Sequence, residues 1–172
     1  MIPATQKIPT YILIGDGFDE FEVVMVLHKF RQAGLYIKSV SLFGQLVYSR
    51  QGVGLKADYR LCDRPFDPLT ESLIILPSGG YNGDMLRHDV RIKSMLEAIN
   101  LGEGYVAVTD SGQNLTHDVR QVVVNRPLLH PYPGQDPEEF ITALTDYVAF
   151  GDFGFTNSKP RVIDYQPVLT AH

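Results

Sequence analysis

Short apolar runs alternate along this chain with stretches of helical period, and this alternation is the feature that most constrains its fold. The first run, YILIG at 11–15, precedes a stretch with four apolar residues at helical spacing: Phe21, Val24, Leu27 and Phe30. Further strands are predicted at 36–43, 72–77, 105–108 and 121–125, a hairpin within 45–61, and helices at 84–101, from 113 onward and at 137–150. The pattern predicts an α/β fold with a mostly parallel sheet covered on both faces.

Length and charge narrow the class of protein further. The 172 residues suffice for one domain, predicted at 1–151, and 152–172 show no sustained period and are expected to form a C-terminal tail or docking arm. A net charge of −5 with scattered basic residues argues against a nucleic-acid partner. The single cysteine, Cys62, needs no oxidising compartment, and no apolar run is long enough for a membrane span. We therefore expect a cytoplasmic protein.

Three loops should meet beyond the carboxyl ends of the predicted strands, where ligands bind in folds of this kind. They are GDGFDEFE at 15–22, PSGGYNGD at 77–84 and TDSGQ at 109–113. The last loop turns from a strand into a helix and places Asp110 at its tip, where α/β enzymes often hold a nucleophile. Asp110 is therefore the first candidate for chemistry or for ligand binding.

Four motifs follow one another between residues 10 and 115: GFDEFE with RQAG, GVGLKAD, LIILPSGGYNGDMLRHD and VAVTDSG. In this order they resemble the ThiJ/PfpI superfamily, a class I glutamine amidotransferase-like group of deglycases, intracellular peptidases and isonitrile hydratases. The resemblance implies a flavodoxin-like three-layer sandwich and a homodimer. It also implies that Asp110 stands where the family has its nucleophilic cysteine. The family's histidine partner comes from the stretch after this elbow, which looks shorter here and contains His117 and His130.

Asp110 has two compatible interpretations. With Gln113 it fits the spacing of a capping box, in which an aspartate caps the following helix. By the resemblance, its carboxylate would also occupy an anion-binding pocket, in the likeness of a cysteine oxidised to the sulfinate. The hydrogen-bond donors expected around it come from two of the loops: Ser78, Gly79, Gly80 and Ser111.

Glu22 is the second candidate. Asp19 and Glu22 fit a capping box at the start of the first helix. The resemblance implies instead that Glu22 is the family's acidic residue and points at Asp110. Two carboxylates in contact cannot both ionise cheaply, so we expect such a pair to share a proton and to titrate as a unit.

The glycines and the remaining polar residues allow simpler explanations as well. Gly79 and Gly80 would either permit a tight turn or expose backbone N–H groups to an anion or a carbonyl oxygen. The acidic residues after the first strand are typical of a helix start, and the five histidines show no ligand spacing, so no metal and no cofactor is predicted.

The sequence thus predicts a divergent member without cysteine chemistry, a binding, sensory or assembly protein that keeps an anion- or carbonyl-binding pocket with a possible small-molecule ligand. An alternative is a hydrolase or lyase that uses the Glu22 and Asp110 carboxylates. A third is a structural subunit that docks on a protein partner through residues 152–172.

Overall fold

The structure, a computed structural model, describes residues 8–63, 71–110 and 114–150 and the backbone of 161–162. Its strands are β1 (Thr10–Ile14), β2 (Ile37–Ser41), β3 (Leu46–Tyr48), β4 (Gly54–Lys56), β5 (Tyr59–Arg60), β6 (Leu73–Leu76), β7 (Tyr105–Val108), β8 (Leu128–His130) and β9 (Arg161–Val162). Its helices are α1 (Glu20–Gln32), α2 (Asn82–Arg87), α3 (Val90–Leu101), α4 (Asn114–Val122) and α5 (Pro137–Phe150).

A single sheet organises this part of the chain. Its strands lie in the order β5-β2-β1-β6-β7-β8-β9, and all neighbouring pairs are parallel except β8 with β9. Successive residues of β1 point to opposite faces, as in any strand. Ile12 and Ile14 pack under α1 and α5, whereas Leu13 packs under α2, α3 and α4. The fold is therefore the expected three-layer α/β sandwich, with one apolar core on each face of the sheet.

A buried asparagine fills the point where the strand order reverses. The chain leaves β1 on one side toward β2 and returns on the other side at β6, which opens a crevice at the carboxyl ends of β1 and β6. Asn82 is fully buried there. Its Oδ1 accepts the Gly15 N–H at 2.6 Å, and its Nδ2 donates to the Pro77 carbonyl at 2.6 Å. Asn82 thereby ties the ends of both strands to α2.

The strand predicted at 121–125 is wrong. The first two of these residues belong to α4, and the strand that follows β7 is β8, at Leu128–His130. Val119 and Val123 lie in the core on the helical face of this segment, so packing overrides the β preference of the valines. The Asn100 side chain then accepts the N–H groups of Val124 and Asn125, which ends the helical segment.

Three further predictions need correction. The helix predicted at 84–101 is two helices, because Asp89 interrupts it and caps α3 by accepting the Arg91 N–H at 2.9 Å. The hairpin is confirmed as β3 and β4, but Tyr59–Arg60 leaves it to pair with β2. On α1, the apolar face is shifted: Phe21 and Val24 are exposed, and the core side is formed by Val23, Val26, Leu27 and Phe30.

Only part of the predicted tail falls within the described residues. Arg161–Val162 pairs antiparallel with β8, at the edge of the sheet. The rest of 152–172, and with it the prediction of a separate docking arm, lies outside the described residues. Among the described helices, none is long and apolar enough to cross a bilayer.

Candidate active site

The first turn of α1 carries Glu22 into the carboxyl edge of the sheet. Asp19 caps the helix by accepting the Glu22 N–H at 3.0 Å, which confirms half of the predicted capping box. The Glu22 side chain does not complete the box. Instead its Oε2 accepts the Gly79 N–H at 2.9 Å, and its Oε1 accepts the Ser78 N–H at 3.2 Å. The loop after β6 therefore binds a carboxylate of the protein itself.

Thr109, which sequence analysis missed, connects Glu22 to the elbow. It is buried at the end of β7, and its Oγ1 hydroxyl donates to Glu22 Oε1. The same Oγ1 accepts the Ser78 N–H at 2.9 Å and lies 3.1 Å from Ser78 Oγ. The sequence did offer one signal for Thr109: its hydroxyl side chain directly precedes Asp110, in a loop that is part of the predicted site.

Burial makes Glu22 hard to ionise. The pKa of Glu22 is raised from 4.5 to about 7, and the largest cause is the loss of water, opposed by the hydrogen bond from the Gly79 N–H. The negative charges of Asp19 and, more weakly, Asp110 contribute to the rise in pKa, whereas the Ser78 N–H opposes it. Glu22 thus exchanges a proton near neutral pH. The charge of Asp110 contributes to its raised pKa, but less than burial does.

The two glycines of this loop are required by close contacts. A Cβ on Gly79 would lie 2.1 Å from Glu22 Oε2, so any side chain would displace the carboxylate. Gly80 has φ +62°, and a Cβ there would lie 2.2 Å from the Gly17 carbonyl oxygen. The predicted turn is therefore real, and the Gly79 N–H does face a carboxylate.

Asp110 follows Thr109, two residues beyond the end of β7, and is half-buried. Its carbonyl oxygen accepts the Thr116 hydroxyl at 2.5 Å, which ties the elbow to the first turn of α4. Ser111, proposed as a donor, and Gln113, proposed as the partner in a capping box, lie outside the described residues. The roles of Asp110 and Ser111 in binding stay predictions.

His130 ends β8, the strand beside β7, and so lies next to the strand that leads into the elbow. It is buried, with Nδ1 2.8 Å from the Pro131 carbonyl oxygen and Nε2 3.3 Å from Arg120 Nη2. A guanidinium only donates and a carbonyl only accepts, so these contacts assign the proton to Nδ1 of a neutral ring. His117 is instead exposed on α4.

The only thiol of the chain lies at the other end of this edge, away from the elbow. Cys62 is exposed just after β5, the outermost strand, and β2, β1 and β6 lie between β5 and β7. Within the described ranges, no group of three or more His, Cys, Asp or Glu could hold a metal ion. Around the elbow, the described residues offer carboxylates, hydroxyls, backbone amides and the His130 imidazole.

A parallel α/β sandwich with an acidic residue from the first helix, a diglycine loop and a strand–helix elbow defines the class I glutamine amidotransferase-like group of flavodoxin-like proteins. Within that group, the chain belongs to the DJ-1/PfpI family, whose model matches residues 9–120. No curated protein sequence matches the chain significantly.

Solved structures share the fold at low sequence identity. Drosophila melanogaster DJ-1beta is 16% identical, with a TM-score of 0.66 over 84% of this chain and 91% of that one. A mutant DJ-1 superfamily protein from Salmonella typhimurium is 14% identical, with a TM-score of 0.64 over 84% and 91%. A two-domain protein of Anabaena variabilis, with DJ-1/ThiJ/PfpI-like and ferritin-like domains, is 16% identical, with a TM-score of 0.60 over 91% and 53%. These likenesses concern the fold alone.

Proposed function

We propose that this chain is a DJ-1/PfpI family protein without cysteine chemistry, which binds a small anion or carbonyl compound at the elbow and acts in sensing or assembly. The observation that carries the proposal is the residue at the elbow, Asp110, together with the position of Cys62 after β5, which three strands separate from β7. A carboxylate is a far weaker nucleophile than a thiolate.

The hydrogen bonds around Glu22 argue against a ready oxyanion hole at this loop. The Ser78 and Gly79 N–H groups, which could stabilise a developing oxyanion, already donate to Glu22. Thr109 donates to the same carboxylate, so a reacting carbonyl would have to compete with a buried group of the protein.

The proposal is tested with the purified full chain beside a relative that has the cysteine. We expect no glyoxalase, deglycase or peptidase activity from this chain. An equal activity, or an activity that Cys62→Ala abolishes, would overturn the proposal.

In Asp110→Cys, we expect a thiol that is alkylated at lower pH than free cysteine, because it would sit at a helix start. A thiol that titrates like free cysteine would contradict the pocket.

A second candidate, a hydrolase or lyase that uses carboxylates, is favoured by one observation. The pKa of Glu22 lies at about 7, which suits a group that gives and takes protons at neutral pH. In this alternative, Glu22 and Asp110 share a proton. A turnover that Glu22→Gln and Asp110→Asn each abolish would establish it, and purely stoichiometric binding of ligand would exclude it.

We also propose that the protein forms a homodimer through an apolar surface on α1 and the β3–β4 hairpin. Phe21 is 63% exposed and Tyr48 51% exposed, and Val24 and Val53 are exposed beside them on the same elements. The Gly17 N–H donates to the Tyr48 carbonyl at 2.8 Å, which holds the hairpin against the start of α1. Neighbouring apolar side chains of this kind mark interfaces.

Sedimentation of Phe21→Asp tests the dimer, with Leu101→Asp on the exposed end of α3 as the matched control. We expect dimeric wild type and control but a monomeric Phe21 variant. A monomeric wild type would refute the dimer.

A cytoplasmic location is part of the proposal and is checked by fractionation of cells that make the full chain.

The third alternative is a subunit that docks on a protein partner through residues 152–172, of which Arg161–Val162 pairs with β8 at the edge of the sheet. Truncation after residue 151 distinguishes it: loss of a partner with an intact fold would favour docking. Loss of the fold itself would assign this segment to the domain.

A further inference from the structure

An open cavity of about 450 Å³ lies beside the crevice that Asn82 fills, on the face of the sheet covered by α2 and α3. Its volume is within the range of small-molecule sites, and it opens at the carboxyl edge of the sheet, where such folds bind ligands. The residues that line it come from the segment after β2, from α2 with its two flanking residues and from the N-cap of α3: Phe43, Tyr81, Asp84, Met85, His88 and Asp89.

Two aromatic rings form its walls. Phe43 is 60% exposed, and the Arg91 guanidinium carbon lies 5.2 Å from its ring centroid. Tyr81 is 65% exposed, and its backbone N–H donates to the Gly17 carbonyl at 2.8 Å. A Cβ on Gly17 would lie 2.9 Å from the Tyr81 ring, so the ring can occupy this position only because residue 17 has no side chain. Exposed apolar patches that line a groove mark candidate ligand-binding sites.

The charge of the lining residues is acidic, because it includes two carboxylates and neither lysine nor arginine. Asp89 is neutralised by Arg91, whose Nη2 lies 2.6 Å from Asp89 Oδ2. Asp84 is held less closely: its Oδ1 is 3.8 Å from Arg87 Nη1, and the shorter contact of Arg87, at 2.8 Å, goes to Asp118. The Asp84 carboxylate is thus exposed, with one long ion pair among the described residues, and is open to a ligand.

From this geometry we propose that the cavity binds a small organic cation, an amine with an aromatic body. The ammonium group lies between the Asp84 carboxylate and the face of Tyr81, and the aromatic body lies along Met85 and Phe43. Ammonium groups are attracted both to carboxylates and to aromatic faces, and Arg91 already shows that Phe43 accepts a cation on one of its faces. The site is separate from the elbow and does not rest on the proposed function there.

The test uses tryptamine as the probe. The chain contains no tryptophan, so the indole fluorescence of tryptamine can be excited selectively and its anisotropy followed during titration with the full chain. The matched probes are tryptophol, which replaces the amine by a hydroxyl, and indole-3-propionate, which carries the opposite charge. We expect tryptamine to bind at least about tenfold more tightly than tryptophol, as one charged contact would give, and indole-3-propionate not to bind.

Variants assign the site. Asp84→Asn and Tyr81→Ala change exposed side chains and should each weaken tryptamine binding about fivefold or more, whereas Asp146→Asn, an exposed charge on α5, should leave it unchanged. Equal binding of tryptamine and tryptophol, or no binding of either, would overturn the proposal. So would an Asp146 variant as weak as the Asp84 variant, since that would mean general attraction to a chain of charge −5. Loss of binding in Asp110→Asn with none in Tyr81→Ala would move the amine to the elbow and overturn it too.

Discussion

Replacing Glu22 by glutamine should make the protein more stable at neutral pH, and the gain should disappear in acid. Glutamine has the shape of a protonated glutamate. Its Oε1 can accept the Gly79 N–H, and its amide can donate to Thr109 Oγ1, which also accepts the Ser78 N–H. The variant therefore keeps the hydrogen bonds of the protonated wild type without a charge that must be buried.

The magnitude follows from proton linkage. A carboxyl group with a pKa of 4.5 in the unfolded chain and about 7 in the folded protein binds its proton more tightly when folded. Its contribution to stability is complete below about pH 4.5 and is lost as the pH rises through 7. The 2.5-unit difference between these values corresponds to a loss of about 3 kcal/mol in the wild type. The glutamine variant has no such loss.

The assay is urea denaturation of wild type and Glu22→Gln at several pH values from about 4.5 to 7.5. All other carboxyl groups are common to both proteins, so their titration cancels in the difference. Glu97→Gln, an exposed glutamate on α3, is the matched control and should show a difference that does not vary with pH. A Glu22 difference that is equally flat would refute the argument, because it would mean that the carboxyl group ionises as readily in the folded protein as in the unfolded chain.

Other substitutions test the contacts that build the site. Gly80→Ala should destabilise the protein by about 2–4 kcal/mol, because its Cβ would overlap a backbone carbonyl at positive φ; denaturation measures this, and a neutral effect would contradict the turn. Asn82→Ala should cost about 3 kcal/mol, since it leaves buried backbone groups of two strand ends unpaired, and a loss well under 1 kcal/mol would speak against it. Thr109→Val should raise the pKa of Glu22 further by removing an O–H donor to its carboxylate; an NMR titration that shows a lower pKa would contradict this.

Local patterns were enough to predict most of the sheet. The runs at 11–15, 72–77 and 105–108 are continuously apolar because parallel strands are buried on both faces, and each is a strand. The segment 121–125 is just as rich in β-branched residues, but its valines extend the buried face of α4. Periodicity over so short a run does not separate the two cases, which depend on what the segment packs against.

The candidate site was predictable by position but not by its partners. Glu22, Ser78 and Gly79 were each placed at the carboxyl edge, because parallel strands bring their following loops together. That Glu22 receives the N–H groups of the other two depends on the direction of one side chain in the first turn of α1. Thr109 was missed for the same reason. Nothing in the sequence distinguishes a threonine that donates a hydrogen bond to a buried carboxylate from one that only packs in the core.

The position of the Glu22 carboxylate bears on what an aspartate at the elbow can do. Because Ser78 and Gly79 donate their N–H groups to Glu22, a second anion at this edge does not gain those donors without displacing it. Protonation of Glu22 near pH 7 weakens both hydrogen bonds, since a neutral carboxyl accepts less strongly than a carboxylate. The loop therefore becomes a better donor to an external anion or carbonyl oxygen on the acidic side of neutrality. A binding protein can use such a site at equilibrium, and affinity for an anion should rise as the pH falls through 7.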